Sequence, residues 1–313
     1  MSEPSEVKIT SINTSQEKGT IKAPCDRAEV DSRGLVGDAH AGDWHRQVSV
    51  LAAESIEQFE METGRAIGPG EFGENLIVQG GDLRSASILD RFVFGSVELE
   101  VTQIGKKCHG EDCEIFQATG RCIMPKEGLF CRVLSGGQLC CEDAGRYVPK
   151  VLDIRVITLS DRASAGVYDD RSGPRIRQLI EEHFAGRRWR VAITNTILPD
   201  DPDALRAALD AALAGGADAV FTTGGTGIGP RDSTPEVVSG FCRKLIPGIM
   251  DLVRLKYGRN NPNALLSRSV AGTTGTMQVY ALPGSVKAVE EYMGEILKTF
   301  THVVCMIHGL DVH

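Results

Sequence analysis

The stretch Asp218-Ala-Val-Phe-Thr-Thr-Gly-Gly-Thr-Gly-Ile-Gly-Pro-Arg-Asp-Ser-Thr-Pro-Glu236 decides how the second half of this chain folds. The short apolar run 218–223 reads as a strand. It breaks into glycines at 224, 225, 227 and 229, and Thr234-Pro235 then opens a helix. Glycines at a strand-to-helix turn let backbone N–H groups converge on a phosphate, because no Cβ blocks the approach. The helix start adds unpaired N–H donors and partial positive charge. Asp232, inside the turn, offers a hard oxygen ligand for the Mg²⁺ that accompanies a nucleotide. The pattern predicts a phosphate site with its metal ligand built in, and so an enzyme of phosphorylated substrates.

Strands and helices alternate on both sides of this turn. Ile154 to Leu159 is an apolar strand. Gly173-Pro174 begins a helix with Ile176, Leu179, Ile180 and Phe184 on one stripe. Trp189, Val191 and Ile193 alternate as a strand whose stripe reads as core. Asp201-Pro202 starts a helix, with Asp201 as its cap, that Gly215-Gly216 stops. Met277 to Leu282 is a strand, and Ser285 caps a helix holding Val289, Met293, Ile296 and Phe300. Alternation of this kind implies a mostly parallel sheet covered on both faces.

Residues 1–148 follow a different grammar and read as mostly β. Arg91 to Thr102 looks like a hairpin turning at Gly95-Ser96, with Val97, Leu99 and Val101 on its buried face. One helix is expected near Ala53 to Glu62, ended by Gly64. The Pro-containing stretch Arg146-Tyr-Val-Pro-Lys150 separates a first domain, 1–148, from a second, 151–313.

Composition fits two soluble domains: 313 residues, 42% hydrophobic and 24% charged. A net charge of −8 argues against a nucleic-acid surface. No apolar run approaches the roughly 20 residues that span a bilayer, and the polar, acidic N-terminus has no signal-peptide core. The expectation is a cytoplasmic protein that binds neither membrane nor nucleic acid. Nine cysteines in a reducing compartment point to free thiols, metal ligands or sulfur chemistry. Cys25, Cys131, Cys242 and Cys305 read as buried apolar thiols.

In open parallel sheets ligands bind beyond the carboxyl ends of strands. Four such ends carry polar groups: Ser160-Asp161-Arg162, Pro199-Asp200-Asp201, Thr223-Gly224-Gly225-Thr226-Gly227 and Pro283-Gly284-Ser285. Asp200 and Asp232 are then the acids nearest the phosphate loop, with a divalent cation expected between them and a phosphate chain.

These stretches, together with Arg231-Asp-Ser-Thr-Pro-Glu236 and Leu266-Ser-Arg268, resemble the molybdopterin adenylyltransferase (MogA/MoaB) family over residues 152 to about 308. The resemblance implies a three-layer α/β/α domain, a homo-trimer, and a Mg-dependent transfer of AMP from ATP to the terminal phosphate of molybdopterin, with release of pyrophosphate. The product then serves molybdate or tungstate insertion, through an insertion protein or a recipient molybdoenzyme. Carried over by position, Asp232 and Asp200 hold Mg²⁺ and serve catalysis, and Ser267 contacts the substrate phosphate. Gly224, Gly225, Thr226 and Gly227, with Thr223, cradle phosphate. Arg268 neutralises the pterin phosphate. Ser160, Asp161, Arg162, Pro283, Gly284 and Ser285 complete the nucleotide and pterin pocket.

In the first half, Gly37-Asp-Ala-His-Ala-Gly-Asp-Trp-His-Arg-Gln-Val48, Gly70-Glu-Phe-Gly-Glu-Asn-Leu76, Val101 to His109 and Glu127 to Val133 resemble the MOSC domain, a β-rich, barrel-like module. That resemblance implies a carrier of cysteine-bound sulfur or a binder of molybdenum cofactor, with Cys108 at the matching position. Cys108 follows Lys106-Lys107, and neighbouring cations favour a thiolate. Arg46, with His45 and His40, supplies positive charge for a phosphate or molybdate. Zinc is the alternative: Cys108, His109, Cys113 and Cys122 have the right atoms but lack tight CxxC pairs. Adjacent Cys140-Cys141 stand where MOSC domains usually have a Gly-Asp turn. The fusion reads as a cofactor-biosynthesis enzyme. A non-catalytic cofactor carrier and a MOSC-based sulfurtransferase or reductase are its rivals.

Overall fold

The computed structural model describes residues 3–107, 116 and 120–310. The chain divides into two compact units, 1–150 and 151–313.

The first unit is built on strands β1 (Ser5–Thr14), β2 (Ala23–Cys25), β3 (Arg27–Asp31), β4 (Gly34–Leu35), β5 (Val48–Ala52), β6 (Leu76–Gln79), β7 (Arg91–Phe94), β8 (Val97–Ile104), β9 (Leu129–Ser135), β10 (Gly137–Cys140) and β11 (Ala144–Val148). The main sheet runs β11-β7-β8-β9-β5-β6-β1-β2, and β11 also pairs β1, so seven strands close into a barrel. β1 makes that closure by serving three partners in turn. Ser5–Lys8 pair with β11, Lys8–Ile12 with β6, and Ile12–Thr14 with β2. A small sheet, β10-β3-β4, lies apart from the ring order.

Inward residues fill the barrel. Ile9, Ile12, Val50, Leu76, Phe92, Val97, Leu99 and Val101 are buried in one cluster. The expected hairpin is β7–β8, and its apolar face is buried as the alternation requires. Its other face is less exposed than expected: Glu100 is buried too, held by Arg132 at 2.6 Å. Helix α1 (Ala53–Thr63) packs Ile56 and Phe59 against Leu51, Phe72 and Phe130, and α2 (Met124–Glu127) adds Met124 to the same cluster.

The second unit has strands β12 (Val151–Leu159), β13 (Arg190–Leu198), β14 (Ala219–Thr223), β15 (Lys244–Leu245), β16 (Val270–Thr274) and β17 (Met277–Leu282). Their order is β13-β12-β14-β17-β16-β15. The first four are parallel, and β16 and β15 extend the sheet antiparallel. Helices are α3 (Asp161–Ser164), α4 (Ser172–Phe184), α5 (Pro202–Ala214), α6 (Thr234–Phe241), α7 (Pro247–Gly258) and α8 (Val286–Ile307).

Alternate residues of each central strand face opposite layers. Val220, Met277, Val279 and Ala281 pack with Leu205 and Leu209 of α5 and Val238 of α6. On the other face Phe221 stacks on Tyr280 at 5.0 Å and on Phe300 of α8 at 6.0 Å, and Phe184 of α4 meets Phe300 edge-on. The Trp189 stripe is not core: β13 is the edge strand, and its residues are half-buried or exposed. Helix α7 and strands β15 and β16 were not anticipated from the sequence pattern. Among the described residues, no helix is long and apolar enough to cross a membrane.

Candidate functional site

Parallel pairing puts the ends of β13, β12, β14 and β17 on one edge, where Leu198, Leu159, Thr223 and Leu282 finish their strands. The floor of that edge is stapled. Gly224 N–H donates to the Leu282 carbonyl at 3.0 Å, and the buried Thr223 hydroxyl donates to the Pro283 carbonyl at 2.9 Å. Thr223 and Pro283 are therefore engaged with each other.

The glycine loop rises from this floor. Gly224 has φ +108°, and a Cβ there would meet the Leu159 carbonyl oxygen at 2.3 Å. Gly225 has φ +62°, and a Cβ would lie 2.4 Å from the Thr234 hydroxyl. Only glycine fits either position. Asp232 folds back under the loop, where its Oδ2 accepts the Gly229 N–H at 2.8 Å. A Cβ at Gly227 would stand 2.7 Å from that same oxygen, so a side chain there would push the Asp232 carboxylate aside.

Arg268 closes the loop from outside. Its Nε donates to the Gly227 carbonyl at 2.7 Å and its Nη2 to the Asp232 carbonyl at 2.6 Å, while Nη1 pairs with Glu236. Its backbone N–H donates to the Thr226 carbonyl at 3.0 Å. The expected phosphate-neutralising arginine is thus a clamp on the cradle. Glu236 is held below the usual carboxylate range by its own backbone N–H and then by Arg268. Ser267, next to the clamp, shares a hydrogen bond with the Ser269 hydroxyl at 2.7 Å.

Asp200 is joined to Asp161 rather than to Asp232. Asp161 N–H donates to Asp200 Oδ2 at 3.1 Å, and Asp200 N–H donates to Asp161 Oδ1 at 2.9 Å. Arg231 reaches from the loop to pair with Asp161. That guanidinium holds the Asp161 carboxyl below its ordinary range. Asp200, Gly225, Arg231 and Thr234 line one small recess. Arg231 lies inside a motif the sequence offered, yet nothing in its spacing marked it as Asp161's partner.

A broader groove of about 580 Å³ is lined by Tyr168, Asp169, Asp170, Arg171, Ser172, Gly284 and Val286. Ser160 is a cap, accepting from Ala163 N–H at 3.2 Å, and its hydroxyl also meets the Tyr168 hydroxyl at 2.9 Å. Arg162 lies over the Tyr168 ring at 5.1 Å. Ser285 caps the 22-residue α8 through Ala288 N–H at 3.3 Å. Asp201 caps α5, as read from sequence. Asp170, not anticipated, accepts from Ser172 and Gly173 N–H at the start of α4 and from the Thr158 hydroxyl at 2.6 Å. Helices α3, α4, α5 and α8 all start after these strand ends, and helix N-termini favour an anion.

The first unit has its own cavity of about 480 Å³. Lys18, His40, Arg46 and Lys106 line it, with Trp44 and Phe130 as flat walls. Arg46 lies 4.7 Å and Lys18 5.2 Å from the Trp44 ring centroid. Arg46 Nε is buried with no hydrogen-bond partner among the described residues. His45 does not line this cavity; its carbonyl accepts from the Thr102 hydroxyl. Beneath lies a buried charge group. Lys22 Nζ pairs with Asp38 Oδ2 at 2.5 Å and meets His40 Nδ1 at 3.3 Å. Burial pushes the Asp38 carboxyl up, but hydrogen bonds from His40 and Lys22 outweigh it and hold the group well below the carboxylate range. Burial pushes Glu74, whose carboxylate accepts from Gly70 and Phe72 N–H, up to about 7. Asp38 is thus already committed, and the wall facing the cavity is cationic.

Cys108, His109 and Cys113 lie outside the described residues, as does the zinc arrangement they would form with Cys122. Among the described residues no cluster of three or more His, Cys, Asp or Glu has metal-binding geometry. Cys131 and Cys305 are buried, and Cys25 and Cys242 half-buried.

A family model described as "Probable molybdopterin binding domain" matches residues 155–302, and a MOSC domain model matches residues 37–144. The molybdopterin adenylyltransferase of Helicobacter pylori strain J99 is 33% identical over 161 residues, covering 51% of this chain and 90% of that protein. A molybdenum cofactor biosynthesis bifunctional protein of Synechococcus elongatus is 35% identical over 156 residues, 50% of this chain and 47% of that protein, so the chain spans about half the length of this relative. The solved molybdopterin biosynthesis enzyme MoaB of Thermus thermophilus is 33% identical, with 51% of this chain and 98% of that one covered and a TM-score of 0.45. Through residues 155–302 the chain belongs to the molybdopterin-binding family of cofactor-biosynthesis proteins, and it carries a MOSC domain ahead of that region.

Proposed function

We propose that the second unit transfers AMP from ATP to molybdopterin, giving adenylyl-molybdopterin and pyrophosphate. The observation that carries this reading is the loop 224–229, closed by Asp232, clamped by Arg268 and flanked by the Asp161–Asp200 pair. The Helicobacter relative, of which the chain covers 90%, is a molybdopterin adenylyltransferase.

Mg²⁺ fits the donors present, since among the described residues Asp200 and Asp232 are carboxylates whose oxygens accept from backbone N–H groups. When bound, it neutralises charge on the phosphate chain. The chain's own residues do the rest. Loop N–H groups orient the ATP phosphates, and the stapled floor keeps the cradle from collapsing as charge builds. The terminal phosphate of molybdopterin attacks the α-phosphorus and pyrophosphate leaves. That nucleophile is ionised at neutral pH, so no general base is needed, and catalysis rests on positioning and charge. Ser267 and the groove at Tyr168, Ser172 and Gly284 are assigned to the pterin and nucleotide.

The reading gives the first unit a supporting role, binding the anionic cofactor in the cavity of Lys18, Arg46 and Lys106 or carrying sulfur on Cys108. It also has the second unit self-associate, in keeping with exposed Leu252, Leu255, Leu265 and Leu266 on α7 and the 3₁₀ turn after it.

The test is AMP transfer by the purified protein with molybdopterin, ATP and Mg²⁺, beside Asp232→Asn. Transfer that Asp232→Asn abolishes supports the reading. Tight pterin binding without AMP transfer would reduce the second unit to a carrier.

A further inference from the structure

The adjacent cysteines at 140 and 141 play no part in the chemistry above. Cys141 follows β10, in the turn to β11, and Cys25 ends β2. Their backbones are fixed beside each other. Cys141 N–H donates to the Asp26 carbonyl at 2.8 Å, and the next residue, Glu142, donates to the Ile9 carbonyl at 2.8 Å. The Cys141 thiol donates to the carbonyl oxygen of Cys25 itself at 3.3 Å. That oxygen is two bonds from its own Cα, about 2.4 Å, so the Cys141 sulfur stands within about 6 Å of Cys25 Cα. Cys140 is the register partner of Arg27 and Cys141 bonds the Asp26 carbonyl, so Cys141 and Cys25 sit one position off a direct cross-strand pair. In that neighbourhood a disulfide's Cα separation of roughly 4.4–6.8 Å is met by a small approach of the strands and rotation of the side chains. Both residues are half-buried and pack on the same barrel core. Burial, and then the neighbouring Cys141, push the Cys25 thiol up.

We propose that Cys25 and Cys141 are a thiol-oxidation site that closes reversibly to a disulfide in exchange with a low-molecular-weight disulfide. The Cys141 thiolate attacks the reagent, forming a mixed disulfide and releasing one thiol. Cys25 loses its proton to solvent, and its thiolate attacks the Cys141 sulfur. The protein disulfide forms and the second thiol leaves. The protein loses two protons and two electrons, and the reagent takes them up to become two thiols.

The bond would tie the end of β2 to the β10–β11 turn. β2 bounds the segment 15–22, which carries Lys18, Gly19 and Thr20 to the wall of the first unit's cavity. Oxidation therefore fixes the far anchor of a cavity-lining segment. The inference stands apart from the adenylyl-transfer reading.

The test equilibrates the full-length protein with glutathione disulfide, blocks remaining thiols, and maps tryptic peptides without reduction. Residues 23–27 and 133–146 fall on separate peptides. The expected result is a link between them in the unaltered protein and in Cys140→Ser, its loss in Cys141→Ser, and a melting temperature that rises on oxidation and falls again on reduction. Absence of the link at full oxidation, or its persistence in Cys141→Ser through Cys140, would overturn the proposal. Buried Cys131 stays unmodified if the fold is native, which separates local exchange from unfolding.

Discussion

The Arg268 guanidinium stands 2.6 Å from the Asp232 carbonyl oxygen, so the residue expected to meet substrate is bound to the backbone of the expected metal ligand. Arg268→Ala removes three side-chain donors from the loop at once. A hydrogen bond to a charged group contributes roughly 1.5–3 kcal/mol, less where solvent reaches it. The expected outcome is a loss of about 1–3 kcal/mol in denaturant melts and a fall of roughly 100-fold in AMP transfer. Arg268→Lys should recover only part of this, because an ammonium cannot span three acceptors. Unchanged turnover in Arg268→Ala would mean that the cradle stands without its clamp.

Gly224→Ala is expected to be severe for a backbone reason. The position combines φ +108° with a Cβ 2.3 Å from the Leu159 carbonyl. Positive-φ strain alone costs roughly 1–3 kcal/mol, and the clash adds to it. Gly240, on an exposed face of α6 with nothing within 4 Å of an added Cβ, is the control. Gly240→Ala should be neutral or stabilising by up to about 1 kcal/mol. Equal urea midpoints for the two variants would contradict the geometry.

Lys22→Met should cost about 3–5 kcal/mol, because it strands the Asp38 carboxylate in the interior. The double change Lys22→Met with Asp38→Asn should be milder than Lys22→Met alone. Thermal melts of the three proteins decide this, and a double variant worse than the single one would count against the buried pair.

Glu74 gives the first unit a stability that depends on pH. Burial pushes its carboxyl up to about 7, above the 4.5 or so of a glutamate in water. The folded state holds the proton more tightly, so this contribution is full below about pH 4.5 and is lost as pH rises through 7. The span corresponds to about 3 kcal/mol. Urea midpoints between pH 5 and 8 should fall with pH, and Glu74→Gln should flatten the slope. Parallel slopes in the two proteins would refute the assignment to Glu74.

Much of the second unit was legible because its signals are local. Met277–Leu282 and the start of α5 at Pro202 follow from periodicity and capping alone. Helix α7 was not, since it shows little amphipathic contrast, with Leu252 and Leu255 exposed. The antiparallel β15 is only two residues, Lys244-Leu245, and β16 carries glycine and threonine rather than an apolar run. Parallel pairing predicted that four polar strand ends share one edge. It did not predict that Asp200 would join Asp161, or that Arg231 and Arg268 would be committed to carboxylates and carbonyls of the site itself. Those partnerships depend on side-chain direction, which spacing does not carry. In the first unit the hairpin β7–β8 was visible, whereas ring closure joins residues more than a hundred positions apart. Lys18 and Trp44, separated in sequence by β2, β3 and β4, meet only through the tertiary fold.

The shared edge of β1 also sets a schedule for synthesis. Ser5–Lys8 wait for Ala144–Tyr147, so the ring has an open seam until nearly the whole first unit has left the ribosome. Contacts of such long sequence separation are slow to form. The seam closes with the last strand before residue 151, where the second unit begins. A chain halted before β11 would present β1 as an unpaired edge, a template for aggregation; one released after it would have a finished barrel while the phosphate loop is still being made.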